Sequence, residues 1–378
     1  MSVSIWQAEG NAPIMEVDFL VVGAGIVGCS AAYFANQHGR EVVLTDARDV
    51  AMGASGRNAG FMITGLDSYY HRSIEHYGHA VTQEMWQLSK TTHGHLRHFI
   101  ANGDVPVQPT GSLLLAEDES EAHELELAAR AMEADGLAFE YTSYDPLGRG
   151  YHAAIRQAHD AAVQPYRLVH AVFEQSQSQL IPNNEVYHLE QDGHDVLVHS
   201  HRYTFKARTV LLCTNAYSAR MHPYFVGKVI PQRAQCLVTA PLSETVLDVC
   251  GYSDYGYMYY RQTFDGRLLI GGARHLHREA EHDTTDDRVT DALQASLEAY
   301  LRKRFADVTA PIERRWAGIM GFSVDGLPLV GTLPNMPQVG FAVGFTGHGL
   351  AMGAGSAERA VDLLLKGTHP GAISATRL

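Results

Sequence analysis

Cysteine is scarce. Four residues (Cys29, Cys213, Cys236, Cys250) are spread through 378 positions, with no CxxC pair. That excludes a disulfide framework and a zinc ribbon and suits a reducing cytosol, so a cytoplasmic protein is expected. Long apolar runs are also missing: none reaches the ~20 residues that span a bilayer, and no transmembrane segment is expected. The opening residues, MSVSIWQAEGNAPIMEVD, lack the basic and apolar stretches of a signal peptide. Basic residues are outnumbered, 29 against 42 acidic ones, for a formal net charge of -13. A general nucleic-acid partner is thereby excluded, because phosphate contacts need clustered Lys and Arg. An acidic balance mildly favours a cationic substrate instead. Histidines number 21, yet HExxH is absent, and the pairs His93/His95 and His275/His277 have no evident third ligand. No metal site is expected. Internal repeats and low-complexity linkers are absent as well. With 46% hydrophobic and 19% charged residues, the chain has ordinary globular composition, and its length suits two linked domains.

What is present is strongest near the start. Phe19 to Val22 is a short apolar run of the kind that forms a buried parallel strand. Gly23, Gly25 and Gly28 follow as GxGxxG, and then comes a helical stretch ending at Gly39. Glu41 to Thr45 reads as a second strand, with Asp46 at its end, 18 residues after Gly28. The glycines permit a tight turn, a close approach of backbone to a pyrophosphate, and close packing of helix on strand. Free N–H groups at the helix start face the phosphates, and the acid accepts from a ribose hydroxyl. The motif by itself does not separate FAD from NAD. Its place at the head of the chain, and the second glycine-rich segment GASGRNAGF (Gly53 to Phe61), favour FAD. Arg57 in that segment reads equally as a phosphate contact or a surface charge.

Farther on, helices are predicted over Gln83 to Asn102, Ser120 to Asp135 and Thr290 to Phe305. Asp192-Gly193 and Asp265-Gly266 each mark a hairpin. TVLLCTNAYSA reads as a strand that returns to the nucleotide unit. KVIPQRAQCLVTA and GYMYYRQTFDGRLLIGGAR are β-rich and suggest an antiparallel sheet of a second unit.

The ordered set VVGAGIVG, Asp46, GASGRNAG, TVLLCTNAYS, YYRQTFDGRLLIGGAR, WAGIMGFSVDGLPLVG and GFTGHGLAMG resembles the FAD-dependent amine and amino-acid oxidases of the D-amino-acid oxidase, glycine oxidase and sarcosine oxidase superfamily. The likeness runs from about Asp18 to Gly367. GASGRN together with WAGIMGFSxDGLPLVG is most similar to the gamma-glutamylputrescine oxidase branch. The implied fold is mixed α/β: a Rossmann-like FAD-binding domain of the glutathione-reductase type with an inserted antiparallel β-sheet substrate domain. The expected segments are 16–80, 150–220 and 311–378 for the former, 81–149 and 221–310 for the latter.

The resemblance places the cofactor residue by residue. Gly23, Gly25, Ile26, Val27 and Gly28 should meet the pyrophosphate, Asp46 the ribose, and Ala47 and Arg48 the adenine. Ser55, Arg57, Asn58, Ala59 and Gly60 should line the stretch toward the flavin. Val186 should meet adenine through its backbone, and Thr214 and Asn215 should lie near the adenosine end. Gly318 and the loop Gly344, Gly347, His348, Gly349, Leu350 and Ala351 should approach the ring, with the N–H groups of Gly347 to Ala351 opposing its negative charge.

Three departures are informative. Met320 stands where glycine oxidase-like members carry an arginine for the substrate carboxylate, and Ala351 where sarcosine oxidase-like members carry a lysine. Gly318 stands where a cysteine tethers flavin in the latter, so FAD should be bound non-covalently. The lysine that promotes oxygen reaction in some members falls near Leu269, in a chain with five lysines. Loss of both carboxylate anchors favours a primary or secondary amine, oxidised at its C–N bond by hydride transfer to flavin N5, with the imine then hydrolysing. One alternative is an amino- or imino-acid oxidase or dehydrogenase (D-amino acid, glycine or sarcosine type) with a relocated anchor such as Arg261 or Arg274. Another is an FAD-binding subunit or redox sensor without turnover. The catalytic candidates are Tyr257, Tyr259, Met320 and His348, with Tyr260 and Trp316 as further pocket residues. The expected partners are a small-molecule amine or amino acid and then oxygen or another electron acceptor. Oligomeric state is not legible.

Overall fold

The computed structural model describes residues 12–378. Its first element is the strand expected ahead of the glycine motif, which extends from Ile14 to Val22 and buries its last four residues. It lies inside an eight-stranded sheet. On one side it runs parallel to Val42–Thr45, which pairs in turn with Gln179–Ile181. On the other it runs parallel to Thr204–Leu212. That strand is shared between two neighbours: its beginning pairs antiparallel with Asp195–Ser200, its end parallel with Met336–Val343. The Asp192-Gly193 signal is a turn between antiparallel Val186–Asp192 and Asp195–Ser200.

The parallel strands are apolar on both faces because both faces are covered. Phe19 and Val21 point toward the helices Ile26–Gln37, His79–Ala101, Pro165–Ser176 and Gly349–Lys366. Leu20 and Val22 point the other way, toward Phe225 and Phe341. Each such side chain, fully buried, contributes roughly 1.5–3 kcal/mol of transfer free energy.

A second eight-stranded sheet carries, in order, Ile312–Ser323, Val229–Pro241, Arg267–Gly272, Met258–Gln262, Cys250–Ser253, Ser112–Leu115, Ala154–Gln157 and Glu140–Thr142. It is antiparallel as expected except at one seam, where Cys250–Ser253 runs parallel to Ser112–Leu115. The chain re-enters this sheet from a distant segment there, so no hairpin dictates the direction.

The sheets and helices cut across the expected segments at three places. Ile312–Ser323, assigned by sequence to the FAD unit, pairs with Val229–Pro241 in the second sheet. Ala154–Gln157 also joins that sheet. The helix His79–Ala101, assigned to the substrate unit, packs its buried Met85, Leu88 and Leu96 into the core of the first. Among the described residues no helix is long and apolar enough to cross a membrane.

Candidate active site

The site begins where the first strand ends. Gly23 has φ 108°, a conformation that turns the chain sharply into the helix. A Cβ on Gly28 would lie 1.8 Å from the Gly23 carbonyl oxygen, so only glycine lets the helix start this close to the strand. No side chain caps the helix at Gly25, although the Ser55 hydroxyl accepts from Ile26 N–H at 3.0 Å. The remaining N–H groups of the first turn are left for an anion. Asp46 braces the turn: its carboxylate accepts from Ala24 N–H and Arg48 N–H, both at 2.8 Å. Asn184 N–H donates to the Asp46 carbonyl, which sets Val186 just beyond the same corner, its side chain in the core.

From this helix start an elongated cavity of about 310 Å3 runs toward the second sheet. Of the expected cofactor residues, Gly25, Ile26, Val27, Ser55, Arg57, Asn58, Ala59, Asn215, Gly318, Gly347, His348, Gly349 and Leu350 line it. Gly23, Gly28, Asp46, Ala47, Arg48, Gly60, Val186, Thr214, Gly344 and Ala351 are not in its wall. Asn215 joins its two flanks, because the side-chain oxygen accepts from Gly344 N–H at 3.0 Å. In the loop before Gly349–Lys366, His348 N–H donates to Phe345 O and Ala351 N–H to His348 O. Two of the five expected N–H groups are therefore spent internally. Gly347, Gly349 and Leu350 keep theirs without a partner among the described residues.

These features fit FAD. An uncapped helix start, a brace on its turn, a glycine-lined trough and a loop of free N–H groups are what a pyrophosphate and an electron-accepting ring require. Gly318 leaves the trough open: a Cβ there would come to 3.3 Å from Arg57 Cβ. Arg57 itself is not a free phosphate ligand, for its guanidinium donates to Asp287 at 2.5 Å and to Ala317 O.

All four catalytic candidates, Tyr257, Tyr259, Met320 and His348, line the far end of the cavity. In Ile312–Ser323 the period of two turns Ala317, Ile319 and Gly321 inward and leaves Gly318, Met320 and Phe322 on the cavity side. Tyr257 stands just before the strand Met258–Gln262, and Tyr259 shares its side. Gly271 lies opposite Tyr259 in the ladder, and a Cβ there would be 2.2 Å from the ring. Burial holds the Tyr259 hydroxyl well above its ordinary pKa, so it stays protonated. His348 is tied by its ring nitrogen Nδ1 to Thr346 O at 3.3 Å.

Three expected residues go elsewhere. Tyr260 points to the opposite face and is fully buried against Tyr300 and Phe305. Trp316 donates its indole N–H to Arg57 O and does not line the cavity. Arg261 is consumed behind the trough, where Nη1 donates to the carbonyls of Ala59, Gly60 and Val163.

Arg274 is the other candidate anchor, and it lies in the cavity. Its guanidinium stacks over Tyr257 at 4.9 Å and Phe322 at 5.1 Å. Among the described residues it has no hydrogen-bond or ion-pair partner. Sequence reasoning passed over Asp67, which opens on the same cavity from the segment ahead of the helix Tyr70–Tyr77. Surrounding protein raises the Asp67 carboxyl above its ordinary pKa, against the attraction of His348 and Arg274. At the mouth, Glu121 accepts from Tyr69 O–H at 2.5 Å and from Tyr255 N–H at 2.6 Å, tying the two rims together. Neither acid carries a sequence motif. Their places follow only from long-range packing.

A family model described as FAD dependent oxidoreductase (DAO) matches residues 18–363. The chain is 25% identical over 370 residues to a probable oxidoreductase, OrdL, of Rhizobium meliloti (strain 1021), with 90% of this chain and 82% of that protein aligned. It is 25% identical over 377 residues to gamma-glutamylputrescine oxidoreductase of Escherichia coli (strain K12), covering 93% and 84%. The crystal structure of glycine oxidase from Geobacillus kaustophilus superposes with a TM-score of 0.82 at 19% identity, covering 96% of this chain and 99% of that one.

Proposed function

The chain belongs to the FAD dependent oxidoreductase (DAO) family, and we propose that within it this protein oxidises the C–N bond of a small amine that also carries a carboxylate. The observation behind this reading is Arg274: a guanidinium in the cavity wall, held between two rings, with no protein partner. A partly buried charge left without a protein partner is free to take one from a ligand. The fork of a guanidinium matches a carboxylate. The loss of the usual anchors at Met320 and Ala351 is then a relocation to Arg274, beside Phe322.

Bound in the trough, FAD would supply the chemistry by accepting a hydride from the carbon beside the nitrogen. The residues of the chain position and shield. Arg274 fixes the carboxylate, and Tyr257 and Phe322 fix Arg274. Tyr259 and Met320 supply apolar surface that keeps water from the reacting carbon. Gly347, Gly349 and Leu350 offer N–H groups to negative charge developing on the ring. The imine that results hydrolyses in water to a carbonyl compound and the released amine.

The test is an anaerobic screen of matched pairs, each an amino or N-alkyl amino acid with its decarboxylated amine, followed by loss of the flavin absorbance band. Faster bleaching by the acid-bearing members is expected. Bleaching by amines alone would return the reading to a simple amine oxidoreductase.

A further inference from the structure

The cavity contains a charge that the reading above does not use. Asp67 lies in its wall together with Arg274, yet among the described residues neither has an ion-pair partner within 4 Å. Among the described residues, the Asp67 carboxylate has no hydrogen bond to another side chain either. The charged and titratable groups that bear on it are His348, Arg274 and His76. Asp67 is exposed, with its surface open on the cavity side. Tyr255, Tyr257 and Tyr259 line the same cavity. Aromatic faces of this kind favour a cation. A pocket with a guanidinium and a separate unpaired carboxylate is complementary to a ligand with an acid and a base held apart.

Asp67 does not suit the nitrogen that reacts. Loss of hydride from the neighbouring carbon requires that nitrogen to be a neutral amine, and a carboxylate against it would hold it as ammonium. Asp67 suits a nitrogen that stays charged throughout.

Building on the assignment of Arg274 to a carboxylate, we infer that the substrate is a cationic amino acid, whose side-chain ammonium or guanidinium is received by Asp67 while the reacting amine lies between the two charged ends. Asp67 is then a specificity-determining residue, and the acidic balance of the whole chain acts in the same direction by drawing cations toward it.

The experiment uses the purified FAD-loaded protein and two pairs of probes. The first is lysine against its uncharged isostere norleucine, in both enantiomers and as N-methyl derivatives. The second, which has no carboxylate, is butane-1,4-diamine against butylamine. Flavin bleaching gives kcat/KM, and perturbation of the flavin spectrum gives binding. The wild type is expected to prefer the charged member by about 10- to 100-fold. In Asp67→Asn that preference falls toward unity, while the norleucine value changes less than about threefold. An equal or greater rate for norleucine in the wild type overturns the inference. So does an equal change in both members on substitution, as expected if Asp67 only balances Arg274, and so does the absence of any flavin response to every cationic probe. If only the diamine pair responds and Asp67→Asn removes its preference, the Arg274 reading fails and Asp67 stands. Retention of flavin by Asp67→Asn separates all of these from misfolding.

Discussion

Replacing Arg274 with methionine removes the fork and leaves an apolar side chain of similar reach between Tyr257 and Phe322. Two charge-assisted hydrogen bonds to a carboxylate are worth about 1.5–3 kcal/mol each, so the loss should amount to about 3–6 kcal/mol. At 1.4 kcal/mol per decade that is roughly a 10²- to 10⁴-fold drop in kcat/KM for the acid-bearing substrate. The matched amine without a carboxylate should change less than about threefold, because it never used the fork. Arg274→Lys keeps the charge but loses the planar stack on both rings, and should fall between. The fold should hardly register the change, since the guanidinium bonds to no other described group and only two cation–π contacts are lost. Steady-state kinetics on one matched pair, with Tm and flavin content measured beside it, decide the matter. Equal losses for acid and amine would refute the reasoning, and so would no loss for either. A gain-of-function arm strengthens the test: Met320 lines the same cavity. Met320→Arg placed on Arg274→Met should restore at least tenfold of the lost activity, within the ~1.4 kcal/mol that a decade requires.

Gly28→Ala should abolish flavin binding, for its Cβ would sit 1.8 Å from a backbone oxygen that cannot yield; a yellow, fully loaded variant would contradict the packing at the turn. Asp160 is 2% exposed, and burial pushes its carboxyl up to about 7. The native state therefore holds this proton more tightly than the unfolded chain, so the stability it contributes is complete below about pH 4 and lost as pH rises through 7, up to about 4 kcal/mol. Asp160→Asn keeps an acceptor for Thr64 and should flatten that decline in urea unfolding between about pH 5 and pH 8, an unchanged slope counting against the assignment. Glu281→Ala should cost up to about 3 kcal/mol, read as a lowered unfolding midpoint, because Arg233, which is 4% exposed and donates to Glu281 at 2.7 Å, keeps only the Ala280 and Asp286 carbonyls and the Asp286 carboxylate at 3.8 Å.

The parts of the fold that were legible in the sequence are those written in neighbouring residues. The strand, glycine turn and helix from Phe19 onward depend on apolar pattern and on backbone torsions that few residues tolerate. The hairpin turns at Asp192-Gly193 and Asp265-Gly266 are written in the same local terms, and Gly193 adopts φ 61° and Gly266 φ 80°. Helices expected over 83–102, 120–135 and 290–305 occur at His79–Ala101, Glu119–Ala134 and Asp291–Arg304. The catalytic candidates were chosen from family resemblance and the period of two, and Tyr257 and Tyr259 both line the cavity although Tyr257 stands ahead of the strand.

What the tertiary structure decided concerns partners. Alternation says that Tyr260 faces away from Tyr259; it does not say which of the two faces is the core. Ile312–Ser323 reads as a strand from its pattern, but its pairing with Val229–Pro241 follows from the register of a whole sheet. Arg261 and Arg274 look alike in sequence, one on each side of the same hairpin. Folding aims the first at three backbone carbonyls and leaves the second unpaired in the cavity. Asp67 meets the Arg274 cavity from about two hundred residues away. The sequence by itself determined the glycine turn at which the cavity begins, because its constraints are steric and local. Only the tertiary structure decided which charges face the substrate, because an unpaired group is defined by everything that packs around it.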